Sequence, residues 1–585
     1  MNRSLARTLM DTALGRLPAD LLVENATVLN VFTGELLPRQ TIAVKAGHFA
    51  AVGTDLTLAR GPETTVIDAA GQIAIPGLVD GHTHQASRLL PETLLDAVLT
   101  SGTTTIITEL EGMAYVGGAE GIRVFLDALR DQPIKVFATL PPMASLHPIL
   151  EERAPTLAEA EQLLARDDVV GLGEIPWANL LRDAPRLLDL VALARQLGKQ
   201  AEGHSAGARG ARLQAYFASG ISSCHEPITP DEARERLRLG VHTMIRHGGV
   251  RRDIDNVAPL WAEPLDWRRL ILVTDSVDAR RLLAAGYLDA VIQRAIDTGL
   301  DPVRAIQAAT LNVAEHFRLD HRLGAIAPGR EADLALVPDL RTIRPTLVLS
   351  RGQVIARNGQ PLVRARRHQY PPWLYRTVRL PAVTTEWFRL PIGQGTERLR
   401  ALAFGEGLVT AETWVEVAVD DGAMALTPGV DLAKLVCVER QSETPRRFVG
   451  LAQGFGLRAG AYATTSGWDA ACITAIGADD ADLALAVNRV RELQGGLVVS
   501  AGGRVLAECA TPVGAIWSEA PAGAVAAAEE RAEQALRALG VRHPRPLLAL
   551  DILTTGAIPH LRLTPLGYVR LRDGALLGLT DPGPA

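Results

Sequence analysis

The sequence predicts an α/β protein built on a (β/α)8 barrel, with a small composite β-sandwich domain from both flanks of the barrel and a C-terminal α+β domain. Three observations predict this. Eight apolar, strand-length runs alternate with helix-length amphipathic segments between residues 77 and 299, as in a parallel sheet with crossover helices. The segments on either side of that alternation share one rhythm of short strands and Gly, Asn or Asp turns. From residue 366 a proline- and aromatic-rich stretch, RRHQYPPWLYRTVRLPAVTTEWF, breaks the rhythm and begins something new. A chain of 585 residues also exceeds what a single core organises, so several domains are expected.

Taken in order, residues 1–75 open with an amphipathic segment and continue through LLVENATVLNVFTGELL, TIAVKAGHFAAVG and TTVIDAAGQIAIPG, which read as half of the small β domain. The barrel is expected over residues 76–322. Its strands are GLVDGHTH, TTTIITE, IKVFATL, VVGLGEI, KQAEGH, GISSCHE, VHTMIRHG and LILVTD, with helices such as LAEAEQLLARD and ARRLLAAGYLDAVIQRAIDTG between them. The second half of the β domain follows over 323–370, in LGAIAPGREADLALVP and TLVLSRGQVIARNG. Residues 380–585 form the α+β domain, where the aliphatic helix APAGAVAAAEERAEQALRALG is expected to pack on a sheet or a second subunit.

Composition narrows the function classes. Net charge is −6 and aromatic residues make up only 4%, so neither a basic footprint nor a stacking platform for nucleic acid is evident. No run approaches the roughly 20 apolar residues that span a bilayer. The N-terminus lacks the basic segment and apolar core of a secretory signal, so a cytoplasmic location is expected. Four cysteines form no CxxC pair and no disulfide framework. A small-molecule substrate is the simplest expectation, with no nucleic-acid or membrane partner and a homo-oligomeric assembly.

In such a barrel the chemistry sits at the C-terminal strand ends. The polar residues there are His82 and His84 on the first run, Glu174 on the fourth, His204 on the fifth, His225 on the sixth and Asp275 on the eighth. Alternate strand residues share a face, so His82 and His84 can grip one ion. Imidazole and carboxylate suit Zn, Mn, Fe or Co. Two neighbouring ions need an anionic bridge, which many barrel hydrolases make from a carbamylated lysine on the fourth strand. No lysine lies between Lys135 and Lys199, and Glu174 stands where the bridge belongs. Asp275 can touch one ion and accept a proton from water, which makes it and Glu174 the expected catalytic residues. Glu202 could orient an imidazole or be a carboxylate satisfied elsewhere, and Arg246 or His247 could face substrate or solvent.

At these residues the chain resembles the amidohydrolase superfamily, through PGLVDGHTH, the strand-end histidines, the TD of the eighth strand and GAIAPGREADLALV. Within it, GLGEIPW, AEGHSAG, SSCHE, DPVRAIQAATLNVAEHFRL and ALAVNRVRELQGGLVV resemble the bacterial adenine deaminases. The resemblance implies two divalent ions, Mn with Fe or Zn as alternatives, and hydrolysis of adenine to hypoxanthine and ammonia. Asp275 would take the proton of the attacking hydroxide and deliver it to the amino group. Three stretches depart from the family pattern. Gln85 to Arg88 replace Ile-Glu-Ser-Ser, Glu109 to Gly112 replace Asp-Pro-His-Glu, and Ser466 to Ala471 retain only Asp469 of a His- and Asp-rich stretch. Because a site built for one ring rejects others by leaving its own polar groups unpaired, these departures keep open a deaminase of another aminopurine or heterocycle, or a cyclic amidase. A non-catalytic binding scaffold is the rival of a different class.

Overall fold

The computed structural model describes residues 1–580 apart from 85–87, 144, 147, 183, 393–394, 406, 421–422 and 425–430. Each of the eight apolar runs is a strand: β1 (Leu78–His84), β2 (Thr103–Glu109), β3 (Lys135–Leu140), β4 (Val169–Pro176), β5 (Gln200–His204), β6 (Ser223–Cys224), β7 (His242–Arg246) and β8 (Leu270–Val273). A short β9 (Asp275–Ser276) continues β8 after Thr274. All of their pairings are parallel, in one ladder β5–β4–β3–β2–β1–β9 and a second ladder β6–β7–β8.

The chain passes from one ladder to the other at Thr274, which curls the sheet round. At the opposite seam β5 and β6 form no ladder. There the Ser222 N–H donates to the Ala201 carbonyl at 2.9 Å and the Ser222 hydroxyl reaches the same oxygen at 3.0 Å. β1 and β2 are buried along their whole length, which is why they read as continuous apolar runs rather than alternating ones. Val79, Ile107, Phe137, Val170, Met244 and Ile271, one from each of six strands, meet Val313 in a single apolar cluster. This layer fills the interior, as the packed core of a barrel requires.

The segment 279–299 forms two helices, Ala279–Ala285 and Leu288–Asp297. Gly286 ends the first at φ +97°, a conformation that costs glycine little. The Tyr287 N–H then donates to Asp289 at 2.8 Å at the start of the second helix.

Strands from both flanks of the barrel share one nine-stranded sheet. Its junction is the antiparallel pairing of Ile73–Pro76 with Leu334–Val337. In the C-terminal region a second nine-stranded sheet carries helix Asp480–Glu492 on one face and helix Ala522–Ala538 on the other. Alternation along the strands explains this: Val436, Val438 and Val498 pack with the first helix, whereas Leu435, Cys437, Leu497 and Val499 pack with the second. The second helix also contacts barrel helix Ala279–Ala285. This contact brings the C-terminal sheet up to the barrel mouth.

Candidate metal centre

The first strand sets the centre by simple periodicity, since His82 and His84 project to the same side and Asp80 lies two residues earlier in register. Asp80 is fully buried and accepts the Thr274 N–H at 3.2 Å and its hydroxyl at 2.5 Å. That pair locks β1 to the end of β8, and β9 then pairs Asp275 with Thr83. Asp275 itself adopts φ +63°. A non-glycine residue in this region is uncommon and is held there by its surroundings. The outcome is to turn the carboxylate toward the two histidines.

The structure brings all six strand-end side chains together, all but Glu174 buried. Asp275 Oδ1 lies 3.6 Å from His82 Nε2 and 3.7 Å from His84 Nε2. Glu174 Oε2 lies 2.9 Å from His225 Nε2 and 3.9 Å from His82 Nε2. Burial opposes ionisation of Asp275, but the Arg246 guanidinium and the His82 contact hold its carboxyl below the usual range. His82 is pushed down to about 4 by burial and by His225, so its ring is neutral.

Four further residues join the centre that the sequence did not single out as part of it. Glu226, next to His225, has Oε1 3.1 Å from His204 Nε2 and 3.3 Å from His225 Nε2. Arg246 grips Glu226 with both terminal nitrogens, donates to Asp253 at 2.9 Å and lies 3.5 Å from Asp275 Oδ2. Glu111 Oε1 sits 2.6 Å from His84 Nδ1. Glu109 accepts the Glu174 N–H at 3.2 Å and is pushed up to about 8, first by burial and then by the Glu174 and Glu111 carboxylates. Gly173 makes room for it, because a Cβ there would lie 2.2 Å from Glu109 Oε2. The only signals for Glu226 were its place beside a histidine in SSCHE and, for Arg246, a strand-end position.

Glu202, by contrast, is engaged elsewhere. It accepts the Ser223 hydroxyl at 2.6 Å and lies 2.8 Å from His316 Nε2, a carboxylate satisfied within the barrel core.

The donor set fits a divalent cation. His82, His84 and Asp275 form one group of convergent donor atoms, His82, Glu174 and His225 a second, and His204, His225 and Glu226 a third, each within 4.8 Å. Among the described residues the buried His82 Nε2 has no hydrogen-bond partner, and Glu174 Oε2 is met only by imidazole nitrogens. A buried polar atom left so is costly unless something else satisfies it. Imidazole nitrogens and carboxylate oxygens converging in this way are what Mn, Fe or Zn takes.

A model of the amidohydrolase family matches residues 73–360, and one of the adenine deaminase C-terminal domain matches residues 407–574. The chain is 38% identical to the adenine deaminase of Moorella thermoacetica, over 97% of this chain and 96% of the relative. The chain belongs to the adenine deaminase family. It is also 36% identical to the adenine deaminase of Nitratidesulfovibrio vulgaris strain Hildenborough, over 97% of this chain and 98% of that one. Among solved structures, the β-aspartyl dipeptidase of Fervidobacterium islandicum AW-1 covers 60% of this chain and 100% of its own at 18% identity and a TM-score of 0.47. Membership of the amidohydrolase family implies a divalent metal.

The described residues of the three stretches that read as departures from the family pattern lie at or beside the centre. Glu111 holds His84, as described. Trp468 stacks on the His84 ring at 5.6 Å and 24°, and Asp469 lines the same small pocket as Glu109, Glu111, Tyr115 and Glu174. Burial pushes the Asp469 carboxyl up to about 7, and it accepts the Thr555 hydroxyl at 2.5 Å. The C-terminal domain therefore closes the pocket over the metal-type residues. Arg88 anchors it there, donating to Ser466 at 2.9 Å, Glu529 at 2.7 Å and Asp551 at 2.5 Å. Gln85, Ala86 and Ser87 lie outside the described residues.

Proposed function

We propose that this chain is a metal-dependent hydrolase that deaminates adenine to hypoxanthine and ammonia, with two divalent ions, Mn by preference, on His82, His84, Glu174, His204, His225 and Asp275. The observation that carries the reading is the convergence of these six side chains, with a buried His82 nitrogen that has no partner among the described residues, in a member of the adenine deaminase family. Glu174 would supply a carboxylate to hold the ions beside the histidines, and Glu226 would add a second. A cation held there supplies Lewis acidity, which makes water a nucleophile near neutral pH.

The chain's own residues do the rest. The C6–O bond forms as water attacks, and the C6–N bond breaks as ammonia leaves. Asp275, kept ionised by Arg246, takes the water proton and hands it to the departing amino nitrogen. Glu226 and Asp253 hold Arg246 in place, which fixes the Asp275 carboxylate against the histidines. Glu111 and Asp469 offer hydrogen-bonding groups to the edge of the ring, and Trp468 shields the pocket from bulk water.

The test is ammonia release from adenine by the Mn(II)-loaded protein, beside a Glu174→Gln control and a panel of other aminopurines and cyclic amides. Release from adenine with hypoxanthine as co-product, lost in the control, supports the reading. Metal-loaded protein that leaves adenine untouched sinks it, and turnover elsewhere in the panel then names the ring that Glu111 and Asp469 select.

A further inference from the structure

We propose that the cleft between the barrel mouth and the C-terminal domain binds a phosphate-type dianion, free or as the ester of a small molecule, on Arg252, Arg281 and Arg545. The cleft holds about 900 Å³ and is lined by six arginines against five carboxylates. Three of the arginines are already neutralised. Arg88 takes Glu529 and Asp551, Arg280 takes Glu533 at 2.8 and 2.9 Å, and Arg251 lies 3.4 Å from Asp253. The fifth carboxylate, Asp278, accepts the Arg281 N–H at 2.9 Å and caps helix Ala279–Ala285.

That leaves three guanidiniums facing one cleft with no ion pair among the described residues. Arg281 donates to the His247 carbonyl at 3.1 Å, and Arg545 donates to the carbonyls of Val250 and Gly249. Carbonyl dipoles orient a guanidinium but do not cancel its charge. Burial and the positive charge of Arg252 both press on Arg281 and Arg545; Asp278 offsets this at both, and Glu533, already paired with Arg280, offsets it further at Arg545. Like charges gathered in a half-closed space repel, and an anion entering it relieves that repulsion. Planar guanidinium forks match a phosphate in geometry as well as sign. The volume falls within the roughly 300–1,000 Å³ of small-molecule sites. The inner wall includes Ser276 and Trp468, neighbours of Asp275 and His84, so an occupant would sit beside the metal-type centre without using its ligands.

The experiment titrates inorganic phosphate and, separately, adenosine 5′-monophosphate into the metal-loaded protein at fixed ionic strength, following heat or melting temperature. Saturable binding is expected, with at least a tenfold weaker apparent Kd in an Arg252→Gln/Arg281→Gln double variant that keeps its metal content. The single variant Arg252→Gln, at an exposed position, is expected to weaken binding at least threefold and guards against a folding defect in the double variant. Tighter binding of the nucleotide than of phosphate would assign a phosphate ester, and equal binding would assign free phosphate. No saturable binding of either probe, or binding unchanged in both variants because the anion sits elsewhere, overturns the proposal.

Discussion

Asp275 carries the sharpest consequence at the scale of single residues, because three constraints meet on it. Its backbone is held at φ +63°, Oδ1 faces two histidines and Oδ2 faces Arg246. Asn keeps the shape and one of the oxygens but cannot take up a proton. Asp275→Asn is therefore expected to lower kcat by roughly 10²–10⁴, the usual worth of a positioned proton acceptor. Metal content should fall little, since the other five side chains remain. Equal losses of metal and turnover, measured by elemental analysis and ammonia release, would reduce Asp275 to a ligand alone. The six strand-end residues could be read from the sequence because each closes an apolar run. Glu226 could not, since an acid following a histidine looks the same whether it faces solvent or a buried arginine. Its burial depends on Arg246, one strand away, and on Asp253 beyond the end of that strand.

The elements explain which parts of the fold were legible. Buried parallel strands announce themselves as unbroken apolar runs, and all eight are strands. Hydrogen bonding between them leaves no such mark, and nothing in KQAEGH or GISSCHE foretells the missing ladder between β5 and β6. The break of segment 279–299 at Gly286 was equally hidden, because apolar spacing runs on through it. At the base of β7, His242 Nδ1 lies 3.0 Å from His316 Nδ1, in the helix Leu311–His316 that closes the barrel floor. Burial, then His316 and Arg269, push His242 down to about 2. An unfolded histidine takes a proton near pH 6.5 whereas the folded one does not, so this contribution to stability is complete above that pH and is lost as pH falls. Between pH 6.5 and 5 the loss from this group should be about 1–2 kcal/mol. Urea unfolding at pH 7 and pH 5 should show a smaller acid loss in His242→Gln than in the unsubstituted protein. Parallel losses in the two would mean that His242 is protonated in the folded state.

At the scale of the whole molecule, the pocket is made by two regions that meet, and Arg88 is the side chain that joins them. It leaves the barrel four residues after His84 and ends among Ser466, Glu529 and Asp551 of the C-terminal region. Asp551 in turn accepts the Thr464 hydroxyl at 3.2 Å, and its carbonyl accepts the Trp468 N–H at 2.8 Å, so the same network seats the indole against His84. Its partners lie hundreds of residues away, which is why the sequence marked Arg88 and SGWDAA only as departures and could not show that they touch. Replacing Arg88 by Met strands two buried carboxylates, a defect worth about 3–5 kcal/mol. We expect Arg88→Met to separate the melting of the C-terminal region from that of the barrel and to cut kcat/KM sharply while metal stays bound. Adding Glu529→Gln and Asp551→Asn removes the stranded charge. It should return much of the stability but not the activity, because Arg88 no longer ties Ser466 to the barrel. Calorimetry and turnover on the single and triple variants separate the two effects. Full activity in the triple variant would mean that Trp468 reaches His84 without Arg88, and that the closure over the metal centre rests on the apolar contact between the domains.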